Sequence, residues 1–494
     1  MFHSDKITIM KKALARSVVF LLVVGFIYTP VWATCGGGGG GGGGGMSGSG
    51  SGGNNTVVYH VPWKIRDDKL PAVKSGLVLY WFPASADELK KSSLRESRDL
   101  SLYAGQCVAM ELADSRLANF NTLVGESKLP VAVLANPDGT PVSKLENKNG
   151  RLDVKDVEKL VGTEVKSRKT TVEANMKDGK AKAAAGDNDA AIKAFQSVLE
   201  HRCMFADKAK DAAKELKKLG VENIGEMPAS PNFDAKVTAS IVQTMKRGLA
   251  AENKAQYLLA DKLYTQAHKM DMADPTPLRY LAELHRHHIG DWDNAKVRFN
   301  QILKMQTDPL SRAVALHGLG KITIHEGEFK KGLGLMEQSA DTYPTALAYR
   351  NLAVYWNSEY DFKQGDFYTQ KALAMDPKDP YNLVFAAVFM AMSGKKDEAL
   401  KIATDNINLL PASYNLAAVY AQLGQRDKAL KLLERHFYQY ERYHAVRQKE
   451  MMEARVDAVF DSLRNDKDFL ALTKHADGML PMPMSPRQAM PMQH

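Results

Sequence analysis

A repeating period constrains this chain more than anything else in its sequence. Small side chains recur at Ala260, Ala295, Gly332, Gly365, Ala399 and Ala429, with spacings of 35, 37, 33, 34 and 30 residues. A glycine stands five residues ahead of four of them (Gly290, Gly327, Gly394, Gly424), and a proline twelve residues behind three (Pro344, Pro377, Pro411). A unit of roughly 34 residues is two short helices and a turn, and such a unit cannot bury its apolar face alone. It must stack on its neighbours, so the period predicts a solenoid.

The unit at 316–344 carries the full set of anchors: Leu319-Gly320, Gly327, Gly332, Met336, Ser339 and Pro344. The following units repeat them as Leu352, Ala353, Trp356, Gly365, Ala372 and Pro377, then Ala386, Ala387, Met390, Gly394, Ala399 and Pro411, then Leu416, Ala417, Tyr420, Gly424, Ala429 and Leu433. This pattern resembles the tetratricopeptide (TPR) repeat. The resemblance implies an all-α solenoid of about six helix-turn-helix repeats over 236–440, with capping helices over 441–475. It also implies a concave groove that binds a protein or peptide partner, with His317, Lys321, Arg350 and Asn357 of the first helices projecting toward it. A partial, irregular repeat is expected over 167–235, from Gly186, Ala191, Phe195 and Val198. A charged linker at 166–169 would precede it, and a proline-marked joint at 223–233 would follow it.

Residues 56–166 change period. GLVLYWF (76–82) and CVAMEL (107–112) are short β-branched and aromatic runs of strand type, with a helix-forming stretch between them at 86–103. A second helical stretch at 115–123 leads into strand, turn and strand, the turn being Asn136-Pro137-Asp138-Gly139. A closing helix at 154–161 starts from Asp153 as its N-cap. This order resembles the thioredoxin fold, with Tyr80-Trp81-Phe82 on the strand before the family's active site. Leu129-Pro130-Val131 stands at the position of the family's cis-proline, which implies a structural cis bond at Pro130. Where that family carries its redox CxxC, this chain reads Pro83-Ala84-Ser85-Ala86-Asp87-Glu88. Dithiol exchange needs two cysteines at a helix N-terminus. The fold class expected is therefore an α/β thioredoxin-like domain without its chemistry, followed by the TPR solenoid. Ser85 and Glu88 read as a helix-capping pair.

The N-terminus reads as an export signal over 1–33. Lys11, Lys12 and Arg16 precede an apolar run at 18–28, and Val31-Trp32-Ala33 offers a cleavage site. The expected location is periplasmic or extracellular, in a bacterial cell. The alternatives are an uncleaved membrane anchor or lipidation at Cys35, whose preceding residues fit a lipobox poorly. A Gly/Ser-rich linker over 34–55 follows. The formal charge is +9, of which the signal carries +3 (Lys6, Lys11, Lys12 and Arg16 against Asp5), so the remaining +6 makes no concentrated basic face and argues against nucleic acid. Cys107 and Cys203 fall in different expected units without framework spacing, so they are expected to be unpaired.

No catalytic motif is present, and no cofactor is expected. GLGKIT (318–323) lacks the first glycine of a phosphate loop. His285, His287, His288, His317 and His325 have no acidic or cysteine partner at ligand spacing and read as surface histidines. The tail over 476–494 is rich in Met and Pro; its Met482, Met484, Met490 and Met492 are weak candidates for a soft metal such as Cu(I). The leading expectation is an exported, non-catalytic adaptor. The alternatives are a thiol-disulfide oxidoreductase and a periplasmic copper-handling factor.

Overall fold

The computed structural model describes residues 58–474 apart from 67–72, 227–236, 360 and 442–443. The expected signal, Gly/Ser linker, Cys35 and Met-rich tail all lie outside the described residues.

The first unit is built on a five-stranded sheet: β1 (Lys64–Ile65), β2 (Leu77–Phe82), β3 (Val108–Leu112), β4 (Val131–Ala135) and β5 (Pro141–Glu146). Its spatial order is β1-β3-β2-β4-β5, with the β1–β3 and β2–β3 pairs parallel and the β2–β4 and β4–β5 pairs antiparallel. Successive side chains of β2 alternate between two cores, as a period of two requires. Leu77, Leu79 and Trp81 pack with α2 (Arg98–Gly105) and the start of α4 (Val154–Ala184), whereas Val78, Tyr80 and Phe82 pack with α3 (Phe120–Val124). Every residue of β2 and β4 is buried. The Asn136–Gly139 turn is closed by the Gly139 amide donating to the Asn136 carbonyl (3.0 Å), and Gly139 sits at φ 87°. The Leu129–Pro130 bond is cis. Ser85 caps α1 (Ala86–Lys91) by accepting from the Glu88 amide at 3.1 Å, and Asp153 caps α4 by accepting from the Lys155 amide.

Two expectations about chain layout need correction. The charged stretch at 166–169 is no linker: it lies inside α4, a single 31-residue helix that leaves the sheet and becomes the first member of a helical hairpin with α5 (Asn188–Glu200). Lys, Ser and Arg tolerate an exposed helix face, so charge alone does not mark a linker. Cys107 and Cys203 form a disulfide, their Cα atoms 5.9 Å apart. It joins the start of β3 to the turn between α5 and α6 (Ala206–Lys218). The fold brings together what sequence spacing kept apart.

Six helical hairpins follow among the described residues. The first pairs α7 (Thr238–Asn253) with α8 (Tyr257–Met270), and the next pairs α9 (Pro275–Glu283) with α10 (Trp292–Lys304). Then come α11 (Pro309–His325) with α12 (Phe329–Thr342), and α13 (Ala346–Ser358) with α14 (Phe362–Met375). The last two pair α15 (Pro380–Met392) with α16 (Lys396–Asp405), and α17 (Ser413–Gln422) with α18 (Arg426–Arg435). Three of the first helices begin with the same device, Asp then Pro. Asp274, Asp308 and Asp379 accept from the amides of Thr276, Ser311 and Asn382, and the following proline needs no amide partner at the first helical position. Gly290, Gly327, Gly394 and Gly424 end first helices at φ 70–95°, which explains their recurrence.

The recurring small residues are where the two helices of a hairpin touch. A Cβ added at Gly332 would lie 2.5 Å from the Gly320 carbonyl oxygen and 2.8 Å from the Ile324 amide, and neither backbone atom can step aside. Gly332→Val is therefore expected to force α11 and α12 apart and cost about 1–3 kcal/mol, the range for overpacking a close contact. The drop in urea midpoint measures it; a variant within a few tenths of a kcal/mol of the parent would mean the contact is not tight.

Candidate functional site

The inner wall of the array is formed by its first helices, and another helix of the same chain lies on it. This is α19 (His444–Val456), which touches the π-helical turns that extend α9 (Leu284–Ile289) and α18 (His436–Tyr440), segments some 150 residues apart. Glu450, Met451, Met452, Glu453 and Ala454 are 2%, 1%, 8%, 6% and 1% exposed. Five consecutive helical residues sweep more than a full turn, so α19 is enclosed over Glu450–Ala454, while His444 at its start is exposed. Residues 441–475 were expected to cap the end of the solenoid: Val459, Phe460, Leu463 and Phe469 pack on the last hairpin, whereas α19 lies on the inner wall.

The contacts are polar and specific. Glu450, Glu453 and Asp457 follow at helical spacings of three and four, so α19 and the residue after it present one carboxylate face. Glu450 Oε2 meets His436 Nε2 at 2.7 Å, and Glu453 Oε1 meets His325 Nδ1 at 2.8 Å. Tyr414 donates its hydroxyl to Asp457 Oδ2 at 3.1 Å. Lys321 is 1% exposed, and burial, with the Arg286 guanidinium, pulls its ammonium down to about 7 despite Glu453, Glu283 and Glu450 nearby. Arg286 itself pairs with Glu283 (2.6 Å). Burial, with the Arg286 and Lys321 charges, holds His317 well below the usual imidazole range, and its Nε2 accepts from Asn351 Nδ2 at 2.9 Å, which fits a neutral ring.

These groups carry opposite pH signs. Burial raises Asp457 from 3.8 to about 6, so what it adds to folding is complete below pH 3.8 and is lost as pH rises through 6. Burial and the neighbouring Glu450 raise Glu441 in the same sense. Lys321 works the other way: its depressed value means folding is penalised below about pH 7 and relieved as pH climbs toward 10.5.

The structure separates the four residues expected to face the groove. Lys321 stands on the wall, buried near Glu450 and Glu453 of α19, and His317 is buried against Asn351 rather than open to solvent. Arg350 lies between adjacent first helices, donating to Asn382 Oδ1 at 2.8 Å with its guanidinium over the Tyr381 and Phe385 rings. Asn357 packs inside its own hairpin, against Gly365 of α14. Nor are the early histidines on the surface. His285, His287, His317 and His325 are all buried and His288 is half-buried, because the first helices carrying them face the interior. The acidic partners on α19 were missed. The only signal was their shared helix face, and that pattern is equally common on solvated helices.

A second hollow of about 880 Å³ opens between α1 and the turn that leads into α4, lined by Glu88, Lys91, Glu146, Lys148, Arg151 and Asp156 among others. Burial raises Glu88 there to about 7. Both signs of charge line it, and it is open to solvent. Among the described residues no helix is long and apolar enough to cross a membrane.

No family model matches the sequence. Among curated proteins the chain is similar to the CTR9 homolog of Arabidopsis thaliana, at 23% identity, covering 37% of this chain and 21% of that protein. The chain thus spans about a fifth of that relative's length. Among solved structures it is similar to YrrB, a TPR protein, at 20% identity and a TM-score of 0.25, covering 37% of this chain and 95% of that one. A chain of the APC/C hetero-tetramer Cut9–Hcn1 matches at 14% identity and a TM-score of 0.31, over 60% of this chain and 72% of that one. The P58(IPK) TPR domain matches at 12% identity and a TM-score of 0.18, over 61% and 96%. From its own period, glycine-ended first helices and close-packed hairpins, the helical part of this chain is a TPR-like solenoid.

Proposed function

We propose that this protein is an exported, non-catalytic adaptor that binds a protein or peptide on the inner wall of its helical array. One observation carries the reading: that wall already holds a helix, α19, through buried ion pairs at His325 and His436. A surface that seats a helix with a carboxylate face has the chemistry to seat another. On this reading α19 is the resident occupant, and a partner takes its place. The first unit serves as a redox-inactive thioredoxin-like recognition domain. Its support is the strand order β1-β3-β2-β4-β5 and the cis bond at Pro130, together with the missing CxxC. Export is supported by the signal-like residues 1–33 and by the Cys107–Cys203 disulfide, a bond that persists in oxidising compartments. An oxidoreductase is disfavoured, since Cys107 and Cys203 are tied to each other and Cys35 stands in the Gly/Ser stretch.

Glu453→Lys tests this. It removes the partner of His325 and sets an ammonium near Lys321 and Arg286, so α19 should leave the wall. Limited proteolysis should then cut 442–457 at least ten times faster than in the parent. In cross-linking and affinity capture from the cells that make the protein, the variant should enrich partners about tenfold over the parent, in proportion to the fraction of open wall. Adding Lys321→Gln should reduce that capture. If proteolysis accelerates and capture by both variants stays at the parental level, the inner wall is not the binding surface.

A further inference from the structure

At the end of the array three buried side chains converge, two of which, His436 and Glu450, also seat α19. His436 comes from the π-helical extension of α18, Glu441 from the residue just beyond it, and Glu450 from α19. One ligand atom from each lies within 4.8 Å of the other two. All three residues are buried, at 1%, 3% and 2% exposure. Glu450 Oε1 and His436 Nδ1 have no hydrogen-bond partner among the described residues. A buried carboxylate oxygen without a donor is costly unless a cation meets it.

The surrounding charge does not supply one in full. Among the described residues Glu283, Glu450 and Glu453 border Lys321, and Glu441 has Glu450 as its charged neighbour. Arg286 is committed to Glu283, and Glu453 to His325. Glu441 and Glu450 are thus neighbouring buried carboxylates whose charges oppose each other.

We infer that His436, Glu441 and Glu450 form a site for one divalent transition-metal ion, of which Zn²⁺ is the best match, clamping α19 to the end of the array. One imidazole and two carboxylates are a borderline donor set of the kind zinc accepts, and they leave a fourth position for water. The three ligand atoms, within 4.8 Å of one another, would have to draw toward a common centre. Tetrahedral bonds of about 2.0–2.1 Å place ligand atoms about 3.3 Å apart. The His436–Glu450 pair at 2.7 Å would open by about 0.6 Å as the ion enters between them. Binding would displace any proton held by the two carboxylates and bring no other reactant. The site draws on α19 and the array together, so it exists only while α19 is seated.

The test uses the full chain, stripped with a chelator and titrated with Zn²⁺ by calorimetry, with melting temperature followed in parallel. The expected result is one ion per chain and a rise in melting temperature of several degrees. Glu441→Gln and Glu450→Gln are the informative variants, because each removes a ligand charge while keeping shape. Each should weaken Zn²⁺ binding at least a hundredfold and abolish the thermal shift. Extended X-ray absorption at the zinc edge should show first-shell oxygen and nitrogen and no sulfur. Three results would each overturn the proposal: no stoichiometric binding, binding unchanged in both Gln variants, or a sulfur-containing shell pointing to the methionines beyond residue 475.

Discussion

Arg98→Met is expected to lower the stability of the whole chain by about 3–5 kcal/mol, the loss that follows when one partner of a buried ion cluster is removed. Arg98 is 3% exposed and lies on α2, yet its partners are on the array. Its Nε donates to Asp274 Oδ2 at 3.0 Å, its Nη2 pairs with Asp271, and its Nη1 donates to Thr238 Oγ1 at 3.2 Å. Tyr59 donates its hydroxyl to the same Asp274 oxygen at 2.7 Å. Without the guanidinium two aspartates remain in the interior, one of them fully buried. Against a total stability of about 5–15 kcal/mol the loss is large. Lysine should rescue only part of it, since an ammonium is a point charge and cannot fork between two carboxylates. Urea unfolding checks the size. Asp271→Asn with Asp274→Asn in the Met background checks the cause, because neutral side chains should return much of the loss. A single Met variant within about 1 kcal/mol of the parent would show that the cluster is solvated and the two units are not joined there.

Cys203→Ser should cost about 2–4 kcal/mol. The bond closes a sequence separation of 96 residues, and chain entropy alone assigns roughly 4.7 kcal/mol to a loop of about 100. The lower figure is expected because neighbouring contacts hold the site without it: Gln306 donates to the Cys203 carbonyl at 2.7 Å. Denaturation with and without reductant gives the value, and the Ser variant should be insensitive to reductant. Equal midpoints for the parent in both conditions would show that the thiols are unpaired in solution.

The array was legible because its determinants are local. Gly327 must take a positive φ, Gly332 must admit a neighbouring backbone, and Asp308-Pro309 must start a helix; each is written in consecutive residues. The strands β2 to β5 were legible for the same reason. Strand β1 was not, since two residues, Lys64 and Ile65, have no period and owe their conformation to pairing with Glu111 and Leu112. The disulfide, the Arg98 cluster and the His325–Glu453 pair depend on residues about 96 to 215 positions apart meeting in space, and Trp63 and Tyr343 meet across 280. A single sequence carries no record of such meetings. For α19 the misreading was physical: carboxylates on a terminal helix ordinarily face water, and here they face histidines and a lysine.

The enclosed α19 alters how force and fluctuation travel through the molecule. A solenoid of stacked hairpins is a spring whose repeats touch only their neighbours, so it can lengthen, bend or fray from either end. A rod held in its bore, gripped near Leu284–Ile289 and again near His436–Tyr440, couples coils that the stacking alone leaves independent. Stretching or opening any turn between those grips must slide or break the same buried ion pairs. The described residues that follow Arg435 thus set the stiffness of the six hairpins before them, and withdrawing one helix would return the coil to elasticity.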